Sequence, residues 1–111
     1  MASRRKEHQE DAKFRVFQII NENPQMTTRE IAQKVGISNG STYYLLTSLI
    51  DMGFIKLSNF KDSSQKIKYS YLLTPKGIRE KSLITGEFLV RKKQEYELLK
   101  KEITELERDL S

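Results

Sequence analysis

The sequence contains no cysteine and a single histidine, His8. The first absence excludes disulfides, thiolate zinc sites, iron–sulfur clusters and thiol nucleophiles together. The second leaves no Ser-His-Asp triad and no multi-histidine metal site. His8 itself, in a polar N-terminal leader, reads as a solvated residue near a helix start. No apolar run approaches the roughly 20 residues that a membrane span needs, and no apolar signal-peptide core follows Arg4-Arg5-Lys6. Carboxylate-only catalysis also lacks a candidate, because the fifteen acidic residues include no isolated pair in apolar surroundings. Neither metal nor cofactor is expected. The composition points to a soluble, cytoplasmic binding protein and not to an enzyme.

What is present is basic charge, unevenly placed. The net charge is +5, but residues 1–6 carry +3, residues 56–93 carry +7 and residues 94–111 carry −3. A basic middle beside an acidic tail suggests a polyanion partner for one part and a different task for the other. The 111 residues suffice for one compact domain, and a hydrophobic share of 37% can fill a small core.

Proline is scarce, and its two occurrences mark helix boundaries. Residues 8–22 predict a first helix, with Ala12, Phe14, Val16, Phe17, Ile19 and Ile20 mainly on one side. Asn23-Pro24 ends it, since proline cannot continue the ladder. Thr27 caps a second, short helix, with Glu30 three residues on completing a capping box. Gly36 stops that helix where a left-handed residue is wanted. Ser38 is the expected N-cap of a third helix running to Met52, closed by Gly53. If Thr42, Leu46 and Leu49 face inward, Gly40, Tyr43, Tyr44, Thr47 and Asp51 occupy the other side.

After Gly53 the period changes to two. Ile55 and Leu57 alternate with Lys56 and Ser58 as far as Phe60, and Ile67, Tyr69, Tyr71 and Leu73 alternate with Lys68, Ser70 and Leu72. Between them lies the polar turn 61–66, so a hairpin with a basic tip is expected. Thr74-Pro75 then places proline in the first turn of a last helix, where its missing N–H costs nothing. The expected fold class is mainly α with a small β-hairpin (α+β), a winged helix–turn–helix domain followed by a long C-terminal helix. The expected division is 1–85 for the domain, with a basic leader 1–7, and 86–111 for the helical extension.

The stretch Thr27 to Gly53, with its Gly36-Ile37-Ser38 turn and Leu49-Ile50-Asp51-Met52-Gly53-Phe54-Ile55 close, resembles MarR-type transcriptional regulators. The run from Asn59-Phe60-Lys61-Asp62 through Tyr69-Ser70-Tyr71-Leu72-Leu73-Thr74-Pro75-Lys76-Gly77-Ile78 is similar to the short MarR-family regulators associated with exopolysaccharide (EPS) biosynthesis loci. The resemblance spans roughly residues 10–105. It implies a prokaryotic, nucleoid-associated regulator of exopolysaccharide genes. Two departures stand out. Larger members have a further N-terminal dimerisation helix and an effector pocket at the dimer junction, and this chain is expected to be too short for both; an effector stays unknown. Their wing commonly carries Asp-x-Arg, whereas here Ser63 and Ser64 follow Asp62.

Helix 39–52 would lie in the major groove of double-stranded DNA, offering Tyr43, Tyr44 and Thr47 to base edges. Ser38, Asn39, Gly40 and Ser41 at its N-terminus would meet a phosphate. Arg29 is expected on the backbone, and Lys61, Lys66 and Lys68 of the wing on the flanking backbone or minor groove. The third helix has no Arg or Lys, which rules out bidentate guanine recognition by that helix. Leu89, Lys92, Tyr96, Leu99, Ile103, Leu106 and Leu110 are spaced 3, 4, 3, 4, 3, 4, a coiled-coil stripe interrupted by Lys92. Self-association as a homodimer through this helix is the expectation, with a helix folded back on its own domain as the alternative. A winged-helix adaptor presenting Tyr43 and Tyr44 to a protein, and RNA binding by aromatic stacking, also stay open.

Overall fold

The computed structural model describes residues 2–61 and 63–111; Met1 of the leader and Asp62 of the expected turn lie outside them. The elements follow the order α1 (Ala2–Glu22), α2 (Thr28–Val35), α3 (Asn39–Asp51), β1 (Ile55–Lys61), β2 (Ile67–Leu73) and α4 (Pro75–Leu110). The α+β class and the winged arrangement therefore hold. The first helix begins six residues before the expected start at residue 8. Residues 2–10 contain Arg, Lys, Glu, Gln and Ala but neither proline nor glycine, so nothing stops the helix where its apolar periodicity fades.

Local signals account for the helix ends. Thr27 accepts a hydrogen bond from the Glu30 amide as the expected N-cap, and donates its own hydroxyl to Glu30 Oε1 at 3.0 Å, so the carboxylate answers the cap's hydroxyl in place of the backbone N–H of a capping box. Gly36 takes φ +82 at the end of α2, a conformation that only glycine adopts without strain. Ser38 Oγ accepts from the Ser41 amide at 3.0 Å, and Thr74 Oγ1 from the Gly77 amide at 3.0 Å.

The core forms where the helices cross. Val16, Phe17 and Ile20 of α1 meet Ile31 of α2, Leu46 and Leu49 of α3, Phe54, Ile55, and Ile84 of α4. Thr42 is buried among them without penalty, because its hydroxyl donates to the Ser38 carbonyl at 2.9 Å. Phe54 and Phe17 meet edge to face with ring centres 6.1 Å apart, and Lys13 and Lys76 place ammonium groups 5.2 and 5.0 Å from the centre of the Phe54 ring.

The hairpin is antiparallel, with Ile55 opposite Leu73, Leu57 opposite Tyr71 and Asn59 opposite Tyr69. These residues share one face, as the alternation predicts. Burial along that face fades outward: Ile55 is buried whereas Leu57 and Tyr69 are exposed. Only the base of the hairpin rests on the core, and the rest projects as a wing. Two bonds tie its second strand to the start of α2 and the segment before it: the Tyr71 amide donates to the Pro24 carbonyl at 2.9 Å, and the Tyr71 hydroxyl lies 3.1 Å from Thr28 Oγ1.

Helix α4 starts against the core and leaves it. Its N-terminal turn lies so close to Phe54 that Gly77 has no room for a side chain. Further along, Phe88 stacks on Phe14 of α1 at 4.3 Å between ring centres, and Lys13 pairs with Glu80 at 3.6 Å. Arg91 donates to Glu10 at 3.1 Å and to Asp11 at 2.6 Å. Beyond Arg91 every residue of α4 is exposed. Thirty-six residues make a helix of about 54 Å, within a molecule whose longest dimension is 68 Å. Among the described residues, no helix is long and apolar enough to cross a membrane.

A candidate nucleic-acid interface

Helix α3 is divided lengthwise by burial. Thr42, Leu46 and Leu49, at intervals of four and three, enter the core. Gly40, Ser41, Tyr43, Tyr44, Thr47 and Asp51 are exposed, so the inward and outward sets fall as their spacing predicts. Tyr43 is 68% exposed and Tyr44 74%, unusual for two large aromatic side chains on consecutive positions. Neither supports the core.

The turn before α3 is tightly knit. Ser38 Oγ accepts from the Ser41 amide and donates to Ser41 Oγ at 2.9 Å, while Asn39 and Gly40 lie exposed at the first helical positions. A Cβ on Gly40 would meet nothing within 4 Å, so a flat ligand can approach the backbone there. Thr47 turns its hydroxyl back to the Tyr43 carbonyl at 2.8 Å.

The remaining expected residues flank this helix. Arg29 is exposed in the first turn of α2, directly after Thr28, whose hydroxyl touches Tyr71 of the hairpin. That cation therefore stands where the helix–turn–helix meets the wing. Lys61 closes β1, Lys66 precedes β2 and Lys68 lies within it; all three are exposed. Gln65, at φ +67, makes the left-handed step in the turn between them. Lys56 was not singled out in the sequence, yet it is exposed and shares the hairpin face of Lys68 through the Lys56–Leu72 and Phe60–Lys68 pairs. The two-residue period of the strands carries that information. The expected self-association residues Leu89, Tyr96, Leu99, Ile103, Leu106 and Leu110 are all exposed on α4.

Residues 9–56 match a family model described as winged helix-turn-helix DNA-binding. The chain has a winged helix–turn–helix fold. Solved structures share it. A PadR-like transcriptional regulator from Bacillus cereus superposes with a TM-score of 0.69 at 19% identity, over 78% of this chain and 89% of that one. A MarR family transcriptional regulator from Silicibacter pomeroyi gives 0.60 at 21% identity, over 74% of this chain and 54% of that one. A MepR mutant from Staphylococcus aureus gives 0.60 at 18% identity, over 100% of this chain and 94% of its own. The resemblance to MarR-type regulators thus holds at the level of the winged fold, and extends to PadR-like ones. No curated protein matches the sequence.

Proposed function

We propose that this winged-helix protein is a sequence-specific, duplex-DNA-binding transcriptional regulator that acts as a homodimer. The observation that carries the reading is the outward face of α3: solvent-exposed, polar and aromatic, backed by a rigid core and flanked by a basic wing. In this reading α3 enters the major groove with Tyr43, Tyr44 and Thr47 at base edges. Ser38, Asn39, Gly40 and Ser41 present the helix N-terminus to a phosphate. Arg29, Lys61, Lys66 and Lys68 hold the flanking backbone, which fixes register without reading sequence.

Residues 1–85 form the DNA-binding unit, and residues 86–111 form the dimerisation helix. The stripe from Leu89 to Leu110 supports the second assignment, since Leu99 is 55% and Leu106 57% exposed in one copy. Burying such side chains contributes about 1.5–3 kcal/mol each, so a second stripe is the favoured cover. Pairing two copies would place two recognition helices on half-sites about one helical turn apart. The protein would work in the cytoplasm at the nucleoid, and exopolysaccharide genes are the target that the resemblance to short MarR-family regulators suggests.

The test is salt-dependent binding to duplex DNA. Lys61→Ala with Lys66→Ala should weaken binding to every sequence and flatten the salt slope by about one unit per lost phosphate contact. A slope unchanged by both substitutions removes the wing from the contact set. Failure of the wild-type protein to bind any duplex turns the Tyr43–Tyr44 face into a protein-docking surface.

A further inference from the structure

Resting on the reading of α3 as the recognition helix, we infer that the bases it reads are A·T pairs, and that contact with the thymine methyl group contributes to that choice. Two hydroxyl protons on and beside the exposed face are already committed locally. Thr47 donates to the Tyr43 carbonyl, and Ser38 donates to Ser41 while accepting from its amide. With its hydroxyl turned back, Thr47 offers its γ-methyl to solvent. Beside it stand the exposed rings of Tyr43 and Tyr44, so a methyl and two aromatic rings lie among the polar groups of the outward face.

In the major groove only one base edge answers an apolar surface, the C5-methyl of thymine. The exposed amide of Asn39 complements the other half of the same pair, since one amide can donate to adenine N7 and accept from N6. Guanine asks for two donors on one side chain, normally Arg or Lys, and α3 contains neither. Asp51, the single charge on the exposed face, lies at the C-terminal end of the helix, away from the N-terminal residues that meet base edges.

Uracil is the clean probe, because it retains every hydrogen-bonding group of thymine and lacks only the methyl. The full chain would be titrated at one salt concentration with alternating dA-dT, dA-dU and dG-dC duplexes of equal length. Each buried methyl group accounts for about a four-fold change in affinity. Two such contacts predict dA-dT binding about fifteen-fold tighter than dA-dU, with dG-dC weaker than either. Thr47→Ser removes the methyl but preserves the hydroxyl bond to Tyr43, and should cut the thymine-to-uracil ratio about four-fold with the helical signal unchanged. Equal affinity for dA-dT and dA-dU, or tightest binding to dG-dC, overturns the inference while leaving DNA binding in place. Binding to none of the three duplexes overturns both.

Discussion

Replacing Gly77 by alanine tests how α4 is attached to the domain. Gly77 sits in the first turn of α4, directly over the Phe54 backbone. An added Cβ would lie 2.8 Å from the Phe54 carbonyl carbon and closer still to its oxygen, whereas ordinary contact begins at 3.4 Å. The obstacle is backbone, so no side chain can swing aside. The first turn of α4 must withdraw, and two bonds to the Phe54 carbonyl go with it: the Thr74 amide at 3.0 Å and the Thr74 hydroxyl at 3.1 Å. Overpacking of this kind costs about 1–3 kcal/mol, and each lost hydrogen bond about 1 kcal/mol. Alanine's better helix propensity returns about 1 kcal/mol. A net loss of about 2–4 kcal/mol follows, equivalent to a Tm lowered by roughly 10–20 °C for a domain of this size. Gly86, in the same helix with nothing within 4 Å of its would-be Cβ, is the control. Its change to alanine should stabilise by up to about 1 kcal/mol. Thermal unfolding followed by far-UV circular dichroism, with all three proteins at one concentration, measures both. If the Gly77 variant unfolds with the wild type, α4 is not seated on Phe54 as described.

Leu99→Glu with Leu106→Glu should leave a folded domain, because neither side chain touches the core, and should convert a dimer to a monomer with much weaker DNA binding; light scattering reads the mass, and a wild type monomeric at tens of micromolar defeats the dimer proposal. Tyr43→Phe with Tyr44→Phe should preserve folding and lower discrimination between sites by about 1–3 kcal/mol per lost hydroxyl contact to a base. A change confined to thermal stability would make that face structural. Ser38→Ala and Thr27→Ala should each cost about 1 kcal/mol of stability through loss of an N-cap, measured by urea unfolding. The Ser38 change should also depress DNA affinity the more strongly, because it frays the start of α3, whereas Thr27 reaches the duplex only through Arg29; equal losses of affinity would place base contacts on α2 as well.

Much of this architecture is written locally. A cap acts within three residues, so Thr27, Ser38 and Thr74 mark helix starts from neighbours alone, and Gly36 marks an end by its left-handed backbone. The intervals from Thr42 to Leu46 to Leu49 define the inward side of α3, which by subtraction leaves Tyr43, Tyr44 and Thr47 outside. Residues 2–7 escaped that logic because helix propensity without apolar periodicity looks the same as a polar leader. Tertiary structure decided the rest. Alternation placed Leu57 and Tyr69 on the face of Ile55, but burial depends on what lies beneath, and only the base of the hairpin has a core to rest on. The 3-4 spacing from Leu89 to Leu110 is interrupted only in character, by Lys92, yet only the folded chain shows that Arg91 in this helix is held against Glu10 and Asp11 of α1. Those partners, like Phe14 and Phe88, are more than seventy residues apart in the chain, and no local pattern records their meeting. Gly77 makes the same point at one residue: its helix signal reads as a weakness, and only the Phe54 carbonyl above it explains why a side chain cannot stand there.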